Sequence, residues 1–178
     1  FNVTHDDIEK YWALDISLIC DNPAFVDPFL IFYSEKDEYK KLHEHIIKYI
    51  SYLKNKSDEW IFEERNSIFP EVKEVWLGFS KKWNKWQWLN RNFANELKNN
   101  LNSLINNWDK ITKSVHLEKL CLIWERVWAD KISDFTLNLI KSFLIDYTNK
   151  FALENIDKKY LSDFNIKKAE FDFNIWEW

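Results

Sequence analysis

Glycine is almost missing from this chain: Gly78 is the single one in 178 residues, where ordinary usage of about 7% would supply about 12. Methionine is absent and proline occurs three times. Cysteine occurs twice, as Cys20 and Cys121, with no Cys-x-x-Cys spacing. That excludes a disulfide framework or a cysteine zinc cage and suits a reducing cytosol. No apolar run reaches the roughly 18 residues of a membrane span, and the opening Phe-Asn-Val-Thr-His-Asp-Asp is not the basic start of a signal peptide. An excess of positive charge is missing too. The formal net charge is −4, so the chain as a whole does not advertise a nucleic-acid binder. What is present, 46% apolar and 30% charged residues, suffices for a packed core. The expectation is one domain over residues 1–178, cytoplasmic, with no membrane association.

Tryptophan is in excess. There are 11, which matches the glycine deficit. Their positions are unusual as well as their number. Trp83, Trp86 and Trp88 crowd into the polar stretch Ser80-Lys81-Lys82-Trp83-Asn84-Lys85-Trp86-Gln87-Trp88-Leu89-Asn90, where a small, φ-permissive residue is ordinary. Trp12 and Trp128 fall just past expected helix ends, where a left-handed residue is wanted. The chain also holds 22 lysines against 3 arginines, with 18 asparagines and 18 isoleucines, the signature of an AT-rich coding sequence. Some bacterial lineages read UGA as glycine, and many of these tryptophans are expected to be such codons rendered as tryptophan.

Hydropathy patterning organises the rest. Thr4, followed by Asp6, Asp7 and Ile8, reads as the cap of a short helix to about Tyr11. Asp15 to Pro28 is irregular because Asn-Pro and Asp-Pro steps disfavour helix, and the apolar Phe29 to Tyr33 that follows reads as buried and extended. From a cap at Ser34, Leu42, Ile46, Ile47, Ile50 and Leu53 follow helical spacing to about Lys54. Asp58 to Glu71 reads as loop, and Val72 to Phe79 alternates like a strand. Further helices are expected around Phe93 to Ile105, around Leu117 to Val127, and from a cap at Ser133 through Phe135, Leu139, Ile140, Phe143, Leu144 and Tyr147. Lys167 to Trp178 alternates again and predicts a strand. The fold class expected is α+β, mostly helical with a few short strands.

The most informative segment is the predicted strand, loop and helix around residues 80–91. With glycine at the three tryptophans, it is a Gly- and Lys-rich turn into a helix N-terminus, able to bring backbone N–H groups, Ser80, Lys81, Lys82, Lys85 and Arg91 to one anion. Taken literally, tryptophans interleaved with these cations could stack on bases. Both versions predict a phosphate-bearing ligand, nucleic acid or nucleotide. The plainer reading is a solvated loop. No Gly-Lys-Ser/Thr closes a Walker A motif and no dinucleotide fingerprint has the proper spacing. Asp130 and Asp134 are four apart; on one helix they would share a face and could hold a divalent cation such as Mg²⁺. A cap at Ser133 is preferred, with Asp130 in the loop and Asp134 in the first turn. Asp27 reads as a turn former. His43 and His45 point to different sides of their helix, and all four histidines read as solvated or core-edge. No Gly-x-Ser-x-Gly or His-Glu-x-x-His motif occurs.

Three blocks together, Asn22-Pro23-Ala24-Phe25-Val26-Asp27-Pro28-Phe29-Leu30, Leu77-Gly78-Phe79-Ser80-Lys81 and Val127-Trp128-Ala129-Asp130-Lys131-Ile132-Ser133-Asp134, resemble an uncharacterised group of bacterial proteins. In that group glycine stands where this chain has Trp83, Trp86, Trp88 and Trp128. The resemblance implies no catalytic residue. It implies a longer protein of which this chain is the N-terminal portion, and its mobile-element or defence association implies a nucleic-acid role by analogy. The function expected is phosphate-ligand binding by the loop, within a metal-dependent nuclease or phosphotransferase, so that whether the chain is itself an enzyme stays open. The alternative is a non-catalytic helical scaffold that binds a protein partner.

Overall fold

A computed structural model of the chain describes residues 2–16, 22, 24–58, 77, 129–163, 165–166 and 169–175. The expected strand over Val72 to Phe79, apart from Leu77, and the helices around Phe93 to Ile105 and Leu117 to Val127 lie outside them. So do Leu97, Leu101, Leu104 and Leu120, which those patterns assign to the core.

The first helix, α1 (His5–Lys10), starts as its sequence requires. The Thr4 hydroxyl accepts from the Asp7 amide at 3.3 Å, and the Asp7 carboxylate accepts from the Thr4 amide at 2.8 Å. This reciprocal box satisfies two amides that a helix N-terminus otherwise leaves open. Beyond α1, Tyr11 packs on Tyr147 and Phe151 at centroid separations of 4.7 and 4.8 Å. The Tyr11 hydroxyl donates to the Tyr147 carbonyl at 3.2 Å, and the Tyr147 hydroxyl donates in return to the Tyr11 carbonyl. Two aromatic rings with mutually satisfied hydroxyls are what fasten this short helix to the rest of the molecule.

The segment Phe29 to Tyr33 is not extended. Pro28–Phe32 forms α2, with Asp27 as its N-cap accepting from the Phe29 amide at 2.9 Å and Pro28 in the first turn. Proline's fixed φ suits that position, and the missing N–H is one the helix would not have used. The Asp-Pro step therefore starts a helix here. Ile31 and Pro28 turn inward, while Leu30 and Tyr33 stay exposed.

The long helix α3 (Asp37–Asp58) carries the inner face expected of it. Ile46, Ile50 and Leu53 are buried, with Leu42 packed at the edge of the same cluster. Ser34 lies three residues upstream of the helix, its hydroxyl accepting from the Lys36 amide at 3.3 Å. Tyr49 and Tyr52 are also buried, and they receive Phe171 at centroid distances of 4.8 and 5.3 Å.

Phe171 belongs to the stretch expected to be a strand, and here the α+β expectation fails. The alternation is real, since Phe171 is buried, Asp172 exposed and Phe173 partly covered. It is spent on a turn: the Asp172 carboxylate accepts from the Asn174 amide at 2.7 Å, a local bond that competes with a sheet ladder. Among the described residues the protein is helical, without a sheet, and the one bridge with two described partners is the isolated parallel pairing of Asn22 with Leu77. The α+β expectation is thus corrected to a helical fold among the described residues, and the strand expected over Lys167 to Trp178 to a turn at Phe173 to Ile175.

Two further helices, α4 (Ala129–Leu139) and α5 (Lys141–Asn155), meet at Ile140. A single 3₁₀ turn, Lys158–Tyr160, follows. Ile132, Phe135, Leu139 and Ile140 join the α3 core, Leu144 packs against it, and Phe143 is half-buried.

Candidate functional site

Ser80, Lys81, Lys82, Lys85 and Arg91, the residues assigned to phosphate binding, all lie outside the described residues. Leu77, three positions before Ser80, is described, and it bridges to Asn22. From Asn22 the chain is pinned a second time. The Val26 amide donates to the Ser133 hydroxyl of α4 at 2.9 Å. Val26 lies four positions after Asn22, a reach of at most about 14 Å. The three blocks that carried the family resemblance are therefore joined through one segment: the first pairs with the second at Asn22 and Leu77, and with the third at Val26 and Ser133.

That arrangement corrects the reading of Ser133. The helix begins at Ala129 rather than after Ser133, so Ser133 sits in its second turn, buried at 2% exposure, and its oxygen serves the incoming Val26 segment instead of the helix start. Asp130 falls inside α4 and not in a loop. Asp130 and Asp134 thus occupy positions one turn apart on the same helix, the spacing that lets two side chains share a face. Asp134 is half-buried. Among the described residues no group of three histidine, cysteine, aspartate or glutamate side chains is gathered as a metal site. Trp128 directly precedes α4, and its own conformation lies outside the described residues.

Polar groups collect on α4 and the start of α5. Ser133, Thr136, Asn138 and Lys141 are all buried. The Thr136 hydroxyl donates to the Ile132 carbonyl at 2.7 Å, and the Asn138 amide donates to the Asp134 carbonyl at 2.8 Å. Bonds back to the preceding turn are how a helix keeps such groups satisfied in an apolar setting. Apolar periodicity could not have found them, because it scores these positions as the solvent face. The shared membership of 22–30 and 127–134 in the resemblance was the available signal.

The described histidines sit at edges. His5 pairs with Asp15 at 2.7 Å on the surface; the hydrogen bond to that carboxylate, and then its charge, raise the imidazole above its ordinary pKa. His43 packs on Phe32 at 4.8 Å. His45 lies edge-on to Phe173 at 5.2 Å; burial lowers its pKa, Glu170 opposes this and Lys48 adds to it. Asp27, read from the sequence as a turn former, is instead the N-cap of α2. An open depression between α5 and the following segment is lined, among the described residues, by Ile145, Asp163, Asn165, Ile166 and Ala169, with Asp163 the one carboxylate of these.

No helix among the described residues is long and apolar enough to cross a membrane. No curated protein and no solved structure matches the chain. Residues 2–178 match a family described as Domain of unknown function (DUF8370), in keeping with the resemblance to an uncharacterised group, and the chain belongs to that family.

Proposed function

We propose that the Ser80–Arg91 loop binds a phosphate-bearing ligand, a nucleic acid or a nucleotide. The observation that carries this is a local reversal of charge. Between Glu74 and Glu96 there is no carboxylate, while Lys81, Lys82, Lys85 and Arg91 are all present, in a chain whose net charge is −4. A field of one sign confined to one loop recruits an anion where the chain as a whole would repel it. The Asn22–Leu77 bridge supports the reading from the other side, because a loop that emerges beside a fixed point loses less entropy on gripping a ligand than one tethered far away. Asp130 and Asp134 on α4 are the residues that a divalent cation would use if the ligand is processed as well as held.

The test is a fluorescence anisotropy titration of a labelled single-stranded oligonucleotide, with ATP as competitor, at two salt concentrations. Replacing Lys81, Lys82 and Lys85 together by Ala should weaken binding. It should also reduce the slope of log K against log salt by about 2, since each phosphate contact to a single strand contributes roughly 0.7. Asp130→Asn with Asp134→Asn should leave binding intact and remove any Mg²⁺-dependent cleavage. Equal affinity and slope in the triple variant, or no binding to oligonucleotide or nucleotide, leaves the helical scaffold that binds a protein partner as the function.

A further inference from the structure

We infer that the natural protein carries glycine at position 12, encoded by a UGA codon that its own translation machinery reads as glycine. The inference goes beyond ligand binding and concerns which atoms the organism's protein contains. It rests on the end of α1. Tyr11 closes the helix in a right-handed conformation, and the next residue, Trp12, has φ of 62°, the one positive value at a non-glycine residue among the described residues. The Trp12 amide donates to the Glu9 carbonyl at 2.9 Å, and the Ala13 amide donates to the Ile8 carbonyl at 3.1 Å. These are the two bonds of a Schellman motif, and the left-handed residue between them is the position where glycine is most enriched.

Tryptophan is poorly suited to this place for two independent reasons. Its Cβ crowds the following carbonyl in the left-handed region, a clash that glycine does not have. Asparagine and aspartate tolerate the conformation through a short polar side chain that bonds locally, and an indole has none. A large ring normally compensates by burying 150–250 Å² of surface, by rough general measure, yet Trp12 is 92% exposed. The ring therefore gains nothing that would offset the backbone conformation. The chain-wide composition points the same way, with 1 glycine and 11 tryptophans against an ordinary glycine count of about 12. One reassigned codon accounts both for the local misfit and for the global deficit; a functional exposed indole at position 12 would account for neither the backbone nor the count.

Two measurements decide it. Tandem mass spectrometry of the peptide spanning His5 to Asp15, from protein made in the source organism, should read glycine at position 12, with TGA at that codon in the gene. Tryptophan in the peptide, or TGG in the gene, overturns the inference. For the expressed chain, Trp12→Gly should raise the protection of the Ala13 amide against hydrogen exchange about fivefold, the ratio set by relief of the left-handed Cβ net of glycine's greater freedom when unfolded. Trp12→Ala keeps the Cβ and should give no gain. Equal protection in all three proteins, or an equal gain in the glycine and alanine variants, shows that the left-handed backbone is not what disfavours tryptophan, and the structural ground for the inference falls.

Discussion

Removal of the Ser133 hydroxyl tests whether α4 is tied to the 22–30 segment or merely capped. In the structure the oxygen accepts from the Val26 amide at 2.9 Å, in a site where Ser133 is 2% exposed. Ser133→Ala leaves that amide without its acceptor in a partly buried position, a cost of about 1–3 kcal/mol. Alanine is the better helix former inside a helix, which returns roughly 0.5 kcal/mol. The net expectation is a loss of about 0.5–2.5 kcal/mol, with faster hydrogen exchange at the Val26 amide. A cap would cost a similar amount on mutation to alanine, so this variant alone does not separate the two roles. Ser133→Asp does: aspartate is as good a cap as serine, whereas a carboxylate placed in this buried site is penalised by several kcal/mol. The order of stability in urea, followed by far-UV circular dichroism, should be wild type, then Ser133→Ala, then Ser133→Asp. A Ser133→Asp protein as stable as wild type, or unchanged Val26 exchange in Ser133→Ala, would refute the tether.

Two further outcomes are expected. Phe171→Ala should cost about 3–5 kcal/mol, because the ring is buried among Tyr49, Tyr52 and Phe173 at 4.8, 5.3 and 5.1 Å; a melting temperature within a degree of wild type would show that the 169–175 turn is not part of the core. Hydrogen bonds from the Thr4 side chain and then its backbone hold the Asp7 carboxyl below its ordinary range, so its support for α1 is complete above the unfolded carboxylate pKa and is lost as pH falls through the lower native value. Protection of the α1 amides, the intrinsic exchange rate relative to the observed rate at each pH, should therefore fall on acidification from about pH 5 to pH 2, and Thr4→Ala should flatten that dependence; an identical acid response in the variant would disconnect Asp7 from the cap.

The start of α1 and the long apolar stripe of α3 were legible in the sequence, whereas the caps expected at Ser34 and Ser133 do not start their helices. Thr4, Asp6 and Asp7 declare α1 through local hydrogen bonding, and Ile46, Ile50 and Leu53 declare the inner face of α3 through period alone. What was misread shares one physical cause, a local signal with two structural uses. Asp27-Pro28 breaks a preceding helix and equally starts a new one, and only the position of Ile31 against the core selects the start. The alternation of Phe171, Asp172 and Phe173 serves a strand or an Asx turn, and the choice depends on Tyr49 and Tyr52 receiving one ring. Ser133 has the composition of a cap, yet its hydroxyl is claimed by Val26, a residue 107 positions away in the chain. The basic segment over residues 80–91 shows the opposite relation: its charge is visible in the sequence, and it lies outside the described residues, of which Leu77 is the nearest before it.

The burial of α4 sets how that anchor can matter. Residues 132, 133 and 135–141 are buried in succession, which a helix with one apolar stripe cannot achieve, since it leaves an opposite face in water. Buried on several faces, α4 has little freedom to shift, and its polar side chains at Thr136 and Asn138 turn back to its own carbonyls. Ser133 turns outward instead, to the Val26 amide. The Val26 segment is thus bonded to the most enclosed helix described, and four positions earlier Asn22 bridges to Leu77. On the proposal that residues 80–91 bind a ligand, a fixed point three positions before Ser80 would lower the ordering cost of binding. The same chain of contacts predicts that Ser133→Ala, besides its effect on stability, should weaken polyanion binding in the anisotropy assay without changing its salt slope, because ordering is lost while the phosphate contacts remain. A changed slope with unchanged stability would mean instead that Ser133 acts on the ligand's charge, and the relay from α4 to the loop would have to be abandoned.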